Sequence, residues 1–140
     1  MSVADVEEAN RHFYRAFETL DLSQMDAVWA RDERVACVHP GWPLLRGWES
    51  VRASWEMIFE NTGEIRFSLG DVRVTEVGDV AWLTCTENIL SEVGGQLTAT
   101  AVLATNLFAR TGGRWLLMHH HASHVFAPRG ADPPDTPQPT

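Results

Sequence analysis

Arg114-Trp115-Leu116-Leu117-Met118-His119-His120-His121-Ala122-Ser123 decides how this 140-residue chain is read. The run follows a Gly112-Gly113 pair. It therefore reads as the last strand of a sheet. A period of two sends His119 and His121 to one face, with Trp115, Leu117 and Ser123. It sends His120 to the other, with Leu116, Met118 and Ala122. Both faces are largely apolar, so the strand is expected to be covered on both sides.

Working back from this strand, the same period of two recurs. Strands are expected over roughly 80–92, 97–110 and 114–126, with Gly94-Gly95 and Gly112-Gly113 as hairpin turns. Ile65, Phe67 and Leu69 alternate with Arg66 and Ser68. Gly70-Asp71 then interrupts before Val72 and Val74, so a bulge is expected near Gly70. Upstream the period is helical. Val6, Ala9, Phe13, Phe17 and Leu20 form one stripe over residues 3–20. Ser23 is placed to cap a short second helix reaching Val28 and Trp29. Trp48, Val51, Trp55, Ile58 and Phe59 predict a third helix over 48–60, ended by Asn61-Thr62-Gly63. Between them, Val35–His39 reads as a short strand stopped by Pro40-Gly41, and Leu44–Arg46 as a brief extended piece.

Helices collected before a meander give an α+β fold: three N-terminal helices packed on a strongly curved antiparallel sheet, forming a cone with an internal cavity. Residues 1–127 are expected to make one domain. The tail, 128–140, has five prolines and almost nothing apolar, and is expected to be disordered and outside the fold.

Composition narrows the partners. Hydrophobic residues are 44% and charged residues 21%, and the formal charge is −8, which argues against nucleic acid or an anionic membrane surface. All 11 basic residues are Arg, a codon bias that points to a bacterial source. Cys37 and Cys85 lie in apolar strand patterns, as buried free thiols of a cytoplasmic protein do. No apolar run has the length of a membrane span.

The segment Val38-His39-Pro40-Gly41-Trp42-Pro43-Leu44-Leu45-Arg46-Gly47-Trp48-Glu49 resembles the strand, loop and helix start of the nuclear-transport-factor-two-like superfamily, and within it the SnoaL-like branch. Asp79-Val80-Ala81-Trp82-Leu83-Thr84 and the closing strand resemble the later strands of that branch. The closing Trp and His-x-His-x-Ser also resemble the association domain of calcium/calmodulin-dependent kinases. The resemblance implies a cone-shaped cavity, usually a homodimer, and a cavity lining carried onto Val51, Trp55, Glu87, Asn106 and Ala122. Hub-like relatives hold basic residues at several of these places. This chain does not, so their anionic ligand is not implied.

Several side chains carry candidate chemistry. Glu87 follows Leu83 and Cys85 on one strand face in an otherwise apolar or hydroxylic run. A carboxyl in such a place gains a raised pKa and serves as acid or base; the bland alternative pairs it with Arg46 or Arg52. His39, at a strand end beside Trp42, is a second base. His120 and Asn106 are placed to donate to a developing enolate oxygen. Trp42, Val51, Trp55, Cys85, Asn106, Met118 and Ala122 are expected to line the pocket. His119 and His121, about 6–7 Å apart along a strand, would suit two ligands of a metal completed by His39 or Glu87. Two ligands alone are too few, and no metal or cofactor is expected. There is no phosphate-binding glycine loop, dinucleotide fingerprint or nucleophile elbow.

The expectation is a small-molecule-binding protein for an apolar carbonyl metabolite. If it is an enzyme, its chemistry is cofactor-free proton transfer: cyclisation, isomerisation or dehydration. The alternatives are a non-catalytic dimeric binding or assembly module and a metal-dependent enzyme using His119 and His121.

Overall fold

The computed structural model describes residues 3–125. The expected tail, 128–140, lies outside the described residues. The elements run α1 (Val3–Thr19), α2 (Leu22–Val28), β1 (Ala36–Val38), β2 (Leu45–Arg46), α3 (Trp48–Glu60), β3 (Glu64–Val77), β4 (Val80–Val93), β5 (Gln96–Thr111) and β6 (Arg114–His124). One curved, unclosed sheet has the order β2-β1-β6-β5-β4-β3, and the three helices pack on it. The α+β expectation holds, with one addition: β1 lies parallel to β6, Cys37 opposite His120, so the sheet is mixed at that edge.

The turns obey their sequence chemistry. Gly94 and Gly95 (φ 60° and 80°) close β4–β5, and Gly112 and Gly113 (57° and 79°) close β5–β6. Two consecutive positive φ angles make the tight turn whose twist matches that of paired strands, and only glycine takes both without strain. The predicted break in β3 falls between Gly70 and Arg73, where the register with β4 shifts and Asp71 sits at φ 48°. The start of α2 differs from expectation. Asp21, not Ser23, is its cap, accepting from the Ser23 backbone N–H at 2.9 Å. A carboxylate two residues earlier reaches an orphan amide of the first turn better than the Ser23 hydroxyl, which itself donates to Asp21 Oδ1.

The β6 faces also differ. Phe108 pairs with Leu117 but Leu107 pairs with His119, so Met118 is an extra residue without a partner on β5. This bulge reverses the alternation midway. Trp115 and Leu117 are buried, and so are His120 and Ala122, while His121 and Ser123 are exposed. Trp115 and Leu117 therefore share the helix-side face with His120, not with His119 and His121. Met118 is half-buried at the bulge rather than in line with His120. The expectation of two covered faces holds for one: the face away from the helices leaves Leu103 48% and Leu90 45% exposed in the single chain.

The core lies between the helices and the inner face of the sheet. Phe13 and Phe17 of α1 meet Trp55 of α3 edge-to-face at 5.7 and 4.8 Å, and Phe17 reaches Phe67 of β3 at 4.7 Å. Such pairs add about 0.5–1.5 kcal/mol each beyond the area they bury. Glu18 ties α1 to β3 by accepting from the Phe67 N–H at 2.8 Å, and Arg52 on α3 pairs with Asp26 on α2 at 2.8 Å.

Candidate functional site

Among the described residues, six polar side chains are buried in this interior: Asn10, His39, Ser54, Glu87, Asn106 and His120. Burying them without partners would cost several kcal/mol in sum, and the structure pairs them. Asn10 and Tyr14 are one helical turn apart on α1, so both point at the sheet. Glu87 and Asn106 sit on adjacent strands, and Asn106 lies opposite His120 in the β5–β6 register.

The hydrogen bonds form a directed chain. Asn106 Nδ2 donates to Asn10 Oδ1 at 2.8 Å and to the Tyr14 hydroxyl at 3.1 Å. With its amide N–H groups committed, Asn106 uses Oδ1 to accept from His120 Nδ1 at 2.6 Å. His120 is thereby the neutral tautomer with its proton on Nδ1. The Tyr14 hydroxyl donates to Glu87 Oε2 and also lies 3.7 Å from Cys85 Sγ. The chain runs His120 to Asn106 to Tyr14 to Glu87, and the carboxyl is its terminal acceptor.

Glu87 is 2% exposed. Burial lifts its pKa to about 7, and the hydrogen bond from Tyr14 offsets part of that rise. Burial pushes Tyr14 well above its ordinary value, reinforced by the charge of Glu87, so the phenol stays a donor. Neither Arg46 nor Arg52 neutralises the carboxyl: its partner is Tyr14, and Arg52 is taken by Asp26.

His39 forms a second centre. Its Nε2 lies 2.8 Å from Ser54 Oγ, which donates in turn to the Val51 carbonyl at 2.6 Å. Ser54 therefore accepts, and His39 carries its proton on Nε2. Burial lowers its pKa to about 4. At neutral pH it is an uncharged and weak base, and it is buried rather than at a mouth. His120 is likewise held well below the ordinary value by burial and then by His39, His119 and His121. The two imidazoles are 6.3 Å apart between ring centres, bridged by Trp55 at 4.7 Å from His39 and 6.0 Å from His120. Trp42 stands edge-on to His39 at 5.0 Å and is half-buried.

Several expected residues converge, and several do not. Glu87, Cys85, Asn106, His120 and Trp55 gather on the inner face with His39, and Val51 and Ala122 are buried there too. Asn10, Tyr14 and Ser54 were not anticipated. A signal existed: Asn10 interrupts the apolar stripe between Val6 and Phe13, and a polar residue in a core position needs a partner. His119 and His121 stack at 6.1 Å on the opposite face, away from Glu87 and His39, so neither completes a metal shell with them. Among the described residues no group of three or more His, Cys, Asp or Glu is placed to hold a metal ion.

The geometry changes the roles expected for two residues. His120 and Asn106 were candidate donors to a substrate oxygen, yet the Nδ1–H of His120 and both amide hydrogens of Asn106 are committed within the chain. They hold Tyr14 and Glu87 in place. Aromatic side chains of α1, α3 and β3 crowd the interior around Trp55, and surface grooves open on other faces. One runs between α1, α2 and the β5–β6 turn, past His12, Arg15, Gln24 and Trp115. Two buried indole nitrogens, of Trp55 and Trp115, have no hydrogen-bond partner among the described residues, whereas that of Trp29 reaches Met25 Sδ at 3.3 Å. Each orphaned donor costs about 1–3 kcal/mol.

Comparison with known proteins agrees with this architecture. A solved structure from Streptomyces avermitilis, a proposed dehydratase of the NTF2-like family, is 45% identical, covering 89% of this chain and 96% of that one, with a TM-score of 0.84. A proposed calcium/calmodulin-dependent protein kinase type II association domain from Thiobacillus denitrificans is 37% identical over 86% of this chain and 94% of that one, with a TM-score of 0.76. The F-box protein SKIP8 of Arabidopsis thaliana is 31% identical over 114 residues, which are 81% of this chain; the match spans 47% of that protein's length. The family model for the SnoaL-like domain matches residues 6–128. The chain belongs to the SnoaL-like domain family, within the NTF2-like superfamily.

Proposed function

We propose that the protein binds a small apolar carbonyl compound between the helices and the sheet and moves a proton next to the carbonyl with Glu87 as the base. The observation that carries this reading is the Glu87 carboxyl itself: buried, paired with no arginine among the described residues, aimed by Tyr14, and raised to about 7. A base with that pKa is half ionised at neutral pH and accepts and returns protons with little bias. Glu87 removes a proton from the carbon beside the carbonyl, and the C–H electron pair moves onto the oxygen as an enolate. Returning the proton to the γ-carbon completes an isomerisation. Delivering it to a β-hydroxyl, which departs as water, completes a dehydration. Cyclisation follows when the enolate carbon attacks a second carbonyl in the same molecule. The fold's 45%-identical neighbour, a proposed dehydratase, supports the second course.

Ligand access runs under α3. That helix packs against α2, β1 and β2, and its Trp55 side chain reaches α1 and the neighbourhood of His120 on β6. It starts at Gly47 (φ 82°) with no side-chain cap, and its first turn is tied only through backbone bonds, Gly47 N–H to the Val35 carbonyl at 2.8 Å and Trp48 N–H to the Asp32 carbonyl at 3.1 Å. Displacing it opens the space around Trp55.

The test is α-proton exchange. Incubation of 1-tetralone with the protein in D₂O, followed by ¹H NMR, should show loss of the α-proton signal at a rate rising with pH through about 7. E87Q should lower that rate by about a hundredfold or more. Equal rates in both proteins would remove Glu87 from the mechanism.

A second reading rests on the exposed sheet face and on SKIP8. Leu90, Leu103 and the His119–His121 pair form a face that no helix covers, and in the plant relative the matching segment is about half of a longer F-box protein. We propose that this face joins two copies as a homodimer. In that reading the domain is a ligand-binding or assembly module. It predicts tetralone binding without exchange.

A further inference from the structure

We infer that the indole N–H of Trp55 is the donor that recognises the ligand's carbonyl oxygen; this rests on the proton-transfer reading above. Proton removal beside a carbonyl needs a hydrogen-bond donor where charge develops on oxygen, placed before the reaction starts. Most of the polar groups around Glu87 are already committed. The Tyr14 hydroxyl donates to Glu87, both amide hydrogens of Asn106 go to Asn10 and Tyr14, His120 donates to Asn106, and His39 donates to Ser54. Among the described residues, the fully enclosed side-chain donor beside this network that has no acceptor is Trp55 Nε1.

Its position fits the role. Trp55 is completely buried, on the middle turn of α3, between His39 and His120 and in contact with Phe13, Phe17 and Phe59. The chain finds even a thioether for the neighbouring Trp29, whereas the enclosed Trp55 indole N–H keeps its donor capacity for an acceptor from outside the chain. Aromatic walls and one neutral donor select a ketone or enone with an apolar body, and disfavour an anion, which would face Glu87 without a cation. Trp115, also unpaired, lies by the β5–β6 turn under the Arg110 guanidinium and serves as the internal comparison.

The experiment uses ¹⁵N-tryptophan-labelled protein with two probes of one shape, 1-tetralone and tetralin. The expected result is a downfield shift of the Trp55 indole proton with 1-tetralone and not with tetralin, while Trp115 stays unmoved by both. W55F should bind tetralin as the wild type does and 1-tetralone about tenfold more weakly, the size of one lost hydrogen bond. W115F should leave both affinities unchanged. If W55F does not fold, the wild-type indole shifts decide alone. Binding of both probes with the Trp55 proton unmoved, or held upfield by the face of a neighbouring ring, overturns the assignment but leaves the pocket standing. Failure of both probes to bind overturns the assignment and the carbonyl-binding reading together.

Discussion

Tyr14 on α1 donates its phenolic hydrogen to Glu87 on β4, 73 residues later in the chain. The contact joins the helical layer to the inner face of the sheet through one proton. It also sets the carboxyl: burial raises Glu87, and Tyr14 pulls it part of the way back. The pair is coupled, so each half can be tested by removing the other.

Glu87→Gln should change the pH dependence of stability. The folded carboxyl has a pKa of about 7 against an ordinary value of 4.5. A raised value means that the folded state holds the proton more tightly than the unfolded one. That contribution is fully present below 4.5 and is lost as pH rises through about 7. By linkage the loss is of order 3 kcal/mol. Urea unfolding at pH 5 and pH 8 should show E87Q matching the wild type more closely at the lower pH and exceeding it by roughly 2–3 kcal/mol at the higher. Parallel curves would mean that the carboxyl is solvated.

Tyr14→Phe removes the one donor to the carboxyl and orphans an Asn106 amide hydrogen. The cost should be about 1–3 kcal/mol, and larger at pH 8, where Glu87 is ionised, than at pH 5. The Glu87 pKa should move up from about 7, because the lowering contribution is gone. A ¹³C NMR titration of the Glu87 carboxyl reads this directly. A downward or absent shift contradicts the hydrogen bond.

Much of this was written in the sequence, for physical reasons that also explain what was not. The third helix is found at Trp48–Glu60 because its aromatic stripe repeats at 3.6 residues and is bounded by Gly47 and Asn61. The glycine pairs gave the hairpins because a two-residue turn has few chemical solutions. Glu87 stood out as the carboxylate in an apolar run. The β6 faces misread at Met118, because a bulge inserts one residue and a periodicity argument has no means of seeing it. Tyr14 was passed over because an aromatic on an amphipathic helix packs equally well with or without its hydroxyl being used. The roles of Asn106 and His120 depended on where their hydrogens go, which only three-dimensional partners decide.

His39 should make the protein acid-sensitive. Its folded pKa is depressed to about 4 from 6.5, so the unfolded chain takes up a proton that the folded chain refuses. The stability it contributes is present above 6.5 and is lost as pH falls through about 4. His120 acts in the same direction. His39→Gln, which keeps a donor for Ser54, should flatten the fall in melting temperature between pH 6.5 and pH 4. A variant as acid-labile as the wild type would assign the sensitivity to His120, which His120→Gln then tests.

The uncovered sheet face supplies the last prediction. Leu103 lies opposite Ser123 on β6 and opposite Thr86 on β4, and Thr105 beside it lies opposite His121. Leu103 and Leu90 are among the large apolar side chains left open to water in the single chain. A sheet face of this kind is stable in solution when a second copy covers it, since a two-fold axis sets the same residues against themselves. Light scattering at micromolar concentration should give twice the mass of the 140-residue chain. Leu103→Glu sets like charges together at the centre of that contact and should shift the mass to that of one chain. Far-UV circular dichroism should stay unchanged, because the side chain points away from the core. A wild-type monomer, or a Leu103→Glu dimer, would place the interface elsewhere or remove it.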